Sequence, residues 1–195
     1  MNAEEESAYW DWVARDSIRL EANVYGDIDS DACLDLIVPH LDLDGWIIEL
    51  GCGVGRLTRP LAERYPQAHI VGVDSAPMMI AEASQLAPEV HWVLNNGRDL
   101  SDIQERKFHS GYSMTMFQHI PHEAQQGYLS ELYRVIQPGG IFRLQFVFEG
   151  DEGPMSFPTA VKDMLGWCDQ TGWRETQLDL GKLKREWAWL TLTRL

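Results

Sequence analysis

The sequence predicts an α/β protein built on a doubly wound, mostly parallel sheet of seven strands. An antiparallel hairpin closes its C-terminal edge, and helices are added at its N-terminus. Three observations carry this. Short apolar runs of strand length alternate with helix-period segments from Trp46 to Phe148, the pattern of strand–helix–strand units with right-handed crossovers. A cluster of glycines directly follows the first of these runs. The last two strand-like runs have no helix between them and must pair antiparallel.

The first helix is expected over Ser7–Leu20, with Trp10, Val13, Ile18 and Leu20 along one broad face, and a second over Ser30–Leu41, capped by Ser30. Both precede the first strand, Trp46–Leu50. Leu57, Leu61 and Tyr65 repeat at spacings of four and predict a helix, bent in its first turns by Pro60. His69–Asp74 is the second strand, Pro77–Ala87 a helix, Val90–Leu94 the third strand and Ser110–Phe117 the fourth. Pro121 opens a helix carrying Leu129, Leu132 and Ile136, stopped by Pro138-Gly139-Gly140. Ile141–Phe148 is the fifth strand. A helix over Thr159–Gln170 ends near Gly172, and Arg174–Leu180 and Trp187–Thr193 form the hairpin around a basic turn of Lys182, Lys184 and Arg185.

Composition narrows the function. The chain has 195 residues, 45% hydrophobic and 24% charged. A domain of that size buries roughly 70% of its unfolded surface and needs no disulfide or structural metal. Its 16 basic and 30 acidic residues give a net charge of -14, which repels phosphate backbones and anionic membrane surfaces. Nucleic acid and membrane are therefore not expected partners. Cys33, Cys52 and Cys168 form no C-x-x-C pair, a usage that suits a reducing cytoplasm. Met1–Ser7 lacks the apolar region of a signal peptide, and no run reaches the roughly 20 apolar residues of a membrane span. A soluble, cytoplasmic protein is expected.

In an open α/β sheet, ligands bind beyond the carboxyl ends of the strands. Glu49-Leu-Gly-Cys-Gly-Val-Gly55 lies there. Its glycines permit a tight turn and close backbone approach, and the helix behind offers main-chain N–H groups to a carboxylate. Asp74 ends the second strand, 19 residues after Gly55, where a carboxylate can accept from both ribose hydroxyls of a nucleoside. The glycines read G-x-G-x-G. Arg56 stands where the dinucleotide fingerprint needs its third glycine, which opposes a nicotinamide cofactor.

Together these residues resemble the class I S-adenosylmethionine-dependent methyltransferases, from about Trp46 to Phe148. The resemblance rests on the glycine loop, on Val71-Gly-Val-Asp74, and on Asn95-Asn-Gly-Arg-Asp-Leu100 after the third strand. It also rests on Phe117-Gln-His-Ile-Pro121 after the fourth strand and Arg134-Val-Ile-Gln-Pro-Gly-Gly140 before the fifth. It implies a Rossmann-like fold with S-adenosylmethionine as cofactor. Gly51 and Gly53 would pass close to the methionine part and Glu49 would position its ammonium. Asp74 would hold the ribose, Ser75 and Met79 would flank the adenine, Asn96 and Gly97 would hydrogen-bond it, and Phe117 would lie near the methionine moiety. Three positions depart from the family: Ala76 replaces a helix-capping serine, so the cap must come from Ser75 or be weaker. Asn96 replaces an aspartate, and His109 replaces an aspartate with no role assigned to it.

The whole of residues 1–195 is then expected as one methyltransferase domain. Residues 1–44 would be N-terminal helices able to serve as a lid, 45–150 the cofactor-binding core, and 151–195 the C-terminal helix and hairpin. Methyl transfer from a sulfonium needs orientation and exclusion of water, and a general base only when the acceptor keeps its proton. His119, just after the fourth strand, is the base candidate. His119 and His122 form H-x-x-H without a third ligand at a helpful spacing, so no metal is expected. Trp10 and Trp12, on a helix able to close as a lid, and the loop Glu149–Pro158 are the expected walls of an acceptor pocket, and that loop is too short to be a large substrate domain. The expected acceptor is a small molecule. A peptide or protein acceptor and a non-catalytic, methyltransferase-like binding module are the alternatives.

Overall fold

A computed structural model describes residues 2–16, 28–150 and 155–195. Seven strands form one sheet: β1 (Trp46–Leu50), β2 (His69–Asp74), β3 (His91–Leu94), β4 (Phe108–Ser113), β5 (Ile136–Val147), β6 (Trp173–Leu180) and β7 (Trp187–Arg194). Their spatial order is β3-β2-β1-β4-β5-β7-β6. The first five run parallel, and β7 inserts antiparallel between β5 and β6. The winding reverses direction between β1 and β4, which opens a crevice at their carboxyl ends.

Alternation along the strands divides the core. Ile47 and Ile70 face a cluster with Cys33, Leu34, Leu61 and Trp189, while Ile48, Val71 and Val73 face Leu129, Leu132, Phe142 and Met164 on the other side. Helices α2 (Ser30–Ile37) and α3 (Thr58–Arg64) cover the first face, and α5 (His122–Val135) and α6 (Val161–Thr171) the second. Trp189, Trp187 and Trp173 are all buried, so these C-terminal tryptophans serve the core. Helix α4 (Pro77–Leu86) follows β2, and α1 (Ala3–Ala14) docks onto it through Val13, which packs with Val54, Ala76 and Met79.

Several boundaries differ from the sequence reading, each for a local reason. Helix α1 begins at Ala3 because Asn2 and Glu5 form a reciprocal capping box; of its expected face, Ile18 and Leu20 lie outside the described residues. Asp29, not Ser30, caps α2 by accepting the Asp31 N–H, and the helix gives way at Val38–His40 to a 3₁₀ turn containing Pro39. Pro60 sits in the first turn of α3, where a missing N–H removes no intrahelical bond. Strand β4 starts at Phe108 and stops at Ser113, since Thr115 takes φ 57 and Phe117–His119 form a 3₁₀ turn. Pairing of β5 begins directly after α5 at Ile136; the register then jumps past Pro138-Gly139-Gly140 to Ile141. His109 has a structural role: its Nδ1 accepts the Trp46 N–H at 3.0 Å and ties the start of β1 to β4.

Candidate active site

The crevice at the strand tips encloses about 820 Å³ of empty space, solvent at its mouth included. One wall is the tip of β1 and its loop, from Glu49 to Gly53; a second is Asp74, Ser75 and Met79; a third is Met114–Met116 and His119; Glu6 and Trp10 of α1 close it. The first and second walls are strand ends with their connecting loops. The fourth arrives from the far N-terminus.

The glycine loop provides room more than free donors. Gly51 and Cys52 both donate to the Val73 carbonyl (2.8 and 3.1 Å), Gly53 to Asp74 Oδ2 (2.8 Å), and Gly55 to the Cys52 carbonyl (3.0 Å). The Gly51, Cys52 and Gly53 N–H groups thus tie the loop to β2. Gly51 takes φ 75 and a Cβ there would lie 2.5 Å from the Met116 side chain; Gly53 takes φ 54 with nothing within 4 Å of its Cβ position. A side chain is excluded at Gly51 and would enter open space at Gly53.

Buried carboxyls surround this loop. Glu49 Oε2 accepts from the Tyr112 hydroxyl at 2.8 Å and from Thr58 Oγ1. Burial pushes the Glu49 carboxyl up to about 7 against the pull of these two donors. Asp74 accepts from Gly53 N–H with Oδ2 and from Ala76 N–H with Oδ1 (2.9 Å), and burial raises it as well. Each carboxylate oxygen has a second lone pair, so Asp74 can still accept from a ligand. Glu6, 8% exposed, faces the same cavity, and burial with the nearby Asp74 charge raises it to about 8. Burial also holds the Cys52 thiol well above its usual range, which makes it a poor nucleophile.

Helix α1 is fixed at points distant in sequence. Ser7 Oγ donates to the Ser75 carbonyl (2.8 Å), and Asp11 Oδ1 accepts the Met78 N–H (2.8 Å). Asp11 therefore caps α4, a source the sequence reading did not consider when it looked to Ser75. Ala3 lies against Gly97, and Trp10 meets the His119 ring edge-on at 5.2 Å.

A methyltransferase-domain profile matches residues 47–140. The trans-aconitate 2-methyltransferase of Azoarcus sp. (strain BH72) is 35% identical over 130 residues, 66% of this chain and 49% of that protein. These matches support reading the chain as a class I S-adenosylmethionine-dependent methyltransferase. It spans about half the length of the curated relatives it matches. Its fold is shared with a TehB-like S-adenosylmethionine-dependent methyltransferase from Corynebacterium glutamicum (TM-score 0.73, 23% identity, 96% of this chain and 99% of that one). It is also shared with the magnesium protoporphyrin IX methyltransferase of Synechocystis PCC 6803 (TM-score 0.74, 18% identity, 100% and 98%).

The residues implied by the family resemblance do not all meet. Glu49, Gly51, Gly53, Asp74, Ser75 and Met79 line the cavity, as does His119. Asn96 does not: its Oδ1 caps its own turn, accepting the N–H groups of Arg98 (2.8 Å) and Asp99 (3.0 Å), and its amide donates to Asp99 Oδ1. Gly97 is buried beneath α1, and its neighbour Asn95 lines the cavity instead. Phe117 is buried in the core, because the 3₁₀ turn rotates it away and leaves Thr115 and Met116 at the cavity. Trp12 is 51% exposed, so Trp10 alone of that pair faces inward. Among the described residues of the loop Glu149–Pro158, none lines the cavity; the loop braces the segment that does. Sequence reasoning missed Glu6, Thr115 and Tyr128 as lining residues. Glu6 is the third of three consecutive glutamates and nothing in the sequence distinguishes it.

The cavity fits S-adenosylmethionine on this structure's own terms. Open space at Gly53 leaves room for the methionine chain, and buried Glu49 and half-buried Asp74 can present oxygens to an ammonium and to ribose hydroxyls. Asp74 and the ionised fraction of Glu49 give a negative field that favours a cationic ligand, while Glu6, which keeps its proton up to about 8, adds a hydrogen-bond donor and no charge near neutral pH.

Proposed function

We propose that this protein transfers the methyl group of S-adenosylmethionine to a small-molecule acceptor at an oxygen, nitrogen or carbon atom. The observation that carries the reading is the open crevice at the strand tips with Asp74 turned into it beside a glycine loop. S-adenosylmethionine, when bound, supplies an already activated methyl electrophile. The chain's part is to hold and orient: Glu49, Asp74 and Ser75 at one end, Met114–Met116 and His119 at the other, with α1 excluding water. Orientation of this kind contributes up to roughly 7–11 kcal/mol.

The acceptor we infer is neutral or carries a single negative charge. Among the described lining residues Arg56 is the one lysine or arginine, against the carboxyls of Glu6, Glu49 and Asp74. A tricarboxylate such as trans-aconitate would find a single cation there to pair with its three carboxylates. Where the acceptor bears a hydroxyl, His119 is the base: burial lowers its basicity, so the ring is neutral at physiological pH and able to take a proton. The three cysteines are free and buried, which fits a cytoplasmic setting. No helix among the described residues is long and apolar enough to cross a membrane. The proposed division of the domain keeps residues 1–44 as the lid, 45–150 as the cofactor core and 151–195 as the closing helix and hairpin.

Calorimetry with S-adenosylmethionine, S-adenosylhomocysteine and NAD tests the cofactor; the first two should bind and NAD should not. A methyl-transfer screen over neutral, monoanionic and tricarboxylate acceptors tests the substrate class. Turnover of trans-aconitate above the uncharged acceptors would overturn the charge argument. Replacing His119 by Asn should slow a hydroxyl acceptor roughly 10²–10⁴-fold and leave cofactor affinity intact.

A further inference from the structure

Between β4 and α5, side-chain hydrogen bonds form a chain whose polarity can be followed from end to end. It starts at Thr115, a β-branched residue held at φ 57, where such side chains are rarely found. The Thr115 N–H donates to Gln145 at 2.8 Å, and a backbone N–H can only donate, so the accepting atom is the amide oxygen Oε1. That fixes the Gln145 amide, whose Nε2 donates to Gln118 Oε1 at 3.3 Å. Gln118 in turn presents its Nε2 to His119 Nε2 at 3.4 Å. An amide nitrogen has no lone pair to offer, so His119 Nε2 must be the acceptor and carries no proton. The far end agrees: His119 Nδ1 lies 2.7 Å from the Met155 carbonyl oxygen, which can only accept, so Nδ1 carries the proton.

We infer that Gln145 and Gln118 are positioning residues that hold His119 with its proton on Nδ1 and leave Nε2 as the one ring nitrogen able to take another. The last link is long, at the weak end of hydrogen-bond distances, so an entering acceptor displaces it at little cost. The backbone of the turn does not depend on this chain. Buried Gln125 donates to the Phe117 and Ile120 carbonyls (3.0 and 3.1 Å), and the Phe157 N–H donates to the Gln118 carbonyl (2.8 Å). Changes at Gln145 therefore act on the polarity of the chain while the turn stays braced.

The role of His119 as a base rests on the methyltransferase reading; its tautomer does not. The test is two-bond proton–nitrogen NMR on the full chain with ¹⁵N-labelled histidine, the His119 signals assigned by their absence in His119→Asn. The wild type should show His119 protonated at Nδ1 alone. In Gln145→Glu, a carboxylate accepts from Thr115 and has nothing to donate to Gln118. Gln118 must then turn its amide, aim Oε1 at His119 and draw a proton onto Nε2. His119 should then show a proton at Nε2 near neutral pH, which the wild type lacks. The charged groups of the same cavity, Glu6, Glu49, Arg56 and Asp74, are unchanged in this variant. A wild type protonated at Nε2 would overturn the inference, whether or not Gln145→Glu folds. So would a Gln145→Glu protein whose Nε2 stays bare. An unaltered methyl-transfer rate in His119→Asn would instead remove the base reading and leave the tautomer assignment standing.

Discussion

The two halves of the cavity are built in opposite ways. The half formed by the tips of β1 and β2 comes from one stretch of about thirty residues, Trp46–Met79, and its bonds run between neighbouring parallel strands. The half formed by α1 and the turn after β4 is assembled from distant segments: Ser7 meets Ser75, Asp11 meets Met78, and Met155 meets His119. Parallel pairing, once nucleated, delivers the first half as a unit, whereas the second depends on docking of separate elements. The lesson is that the site's rigid part and its adjustable part are different parts, and substitutions can separate them.

Several substitutions would break or sharpen this contrast. The largest effect is expected for Gly51→Val, which places a branched side chain at φ 75 and against Met116. Strain of at least about 1–3 kcal/mol should distort the whole β1 tip, and calorimetry should find no cofactor binding. Asp74→Ala removes the proposed acceptor for the ribose together with the acceptor of two loop N–H groups. Affinity should fall by roughly 1.5–3 kcal/mol, and unchanged affinity would contradict the placement of the ribose.

On the other half, Glu6 makes α1 docking depend on pH. The buried carboxyl keeps its proton up to about 8, whereas an ordinary one loses it near 4.5. Below 4.5 both states hold the proton and there is no penalty; from there to about 8 the undocked helix gains as it releases its proton. Hydrogen-exchange protection of α1 should decline over that window, by at most about tenfold per pH unit. Glu6→Gln should flatten the decline and leave the β1 and β2 amides unaffected. The smallest effect belongs to Asp11→Ala, which uncaps α4 at about 1 kcal/mol. It should loosen α1 in the same exchange experiment with no change in the protection of Gly51 and Gly53.

Legibility in the sequence followed the same division. Strands β1 and β2 were placed to the residue, since short apolar runs bounded by glycines or an acid leave little choice. Glu49, Gly51, Gly53, Asp74, Ser75 and Met79 are close enough in sequence for a motif to hold them, and all reach the cavity. Beyond β3 the residues that the resemblance implies do not line the cavity. Asn96 satisfies its own turn, and Phe117 is carried into the core by a 3₁₀ turn braced by Gln125, just after Thr115, whose N–H is held by Gln145. No local pattern announces such partners, because Gln145 lies 30 residues from Thr115.

By itself, the sequence determined the winding of the sheet, the antiparallel closing hairpin and the position of the glycine loop. Each depends on periodicity and on glycine chemistry, which are properties of neighbouring residues. The tertiary structure alone decided that Glu6 would be buried opposite Asp74, that Asp11 would cap α4, and which nitrogen of His119 holds its proton. Those outcomes depend on which distant donor meets which acceptor once the water between them is gone, and only the packed chain fixes that.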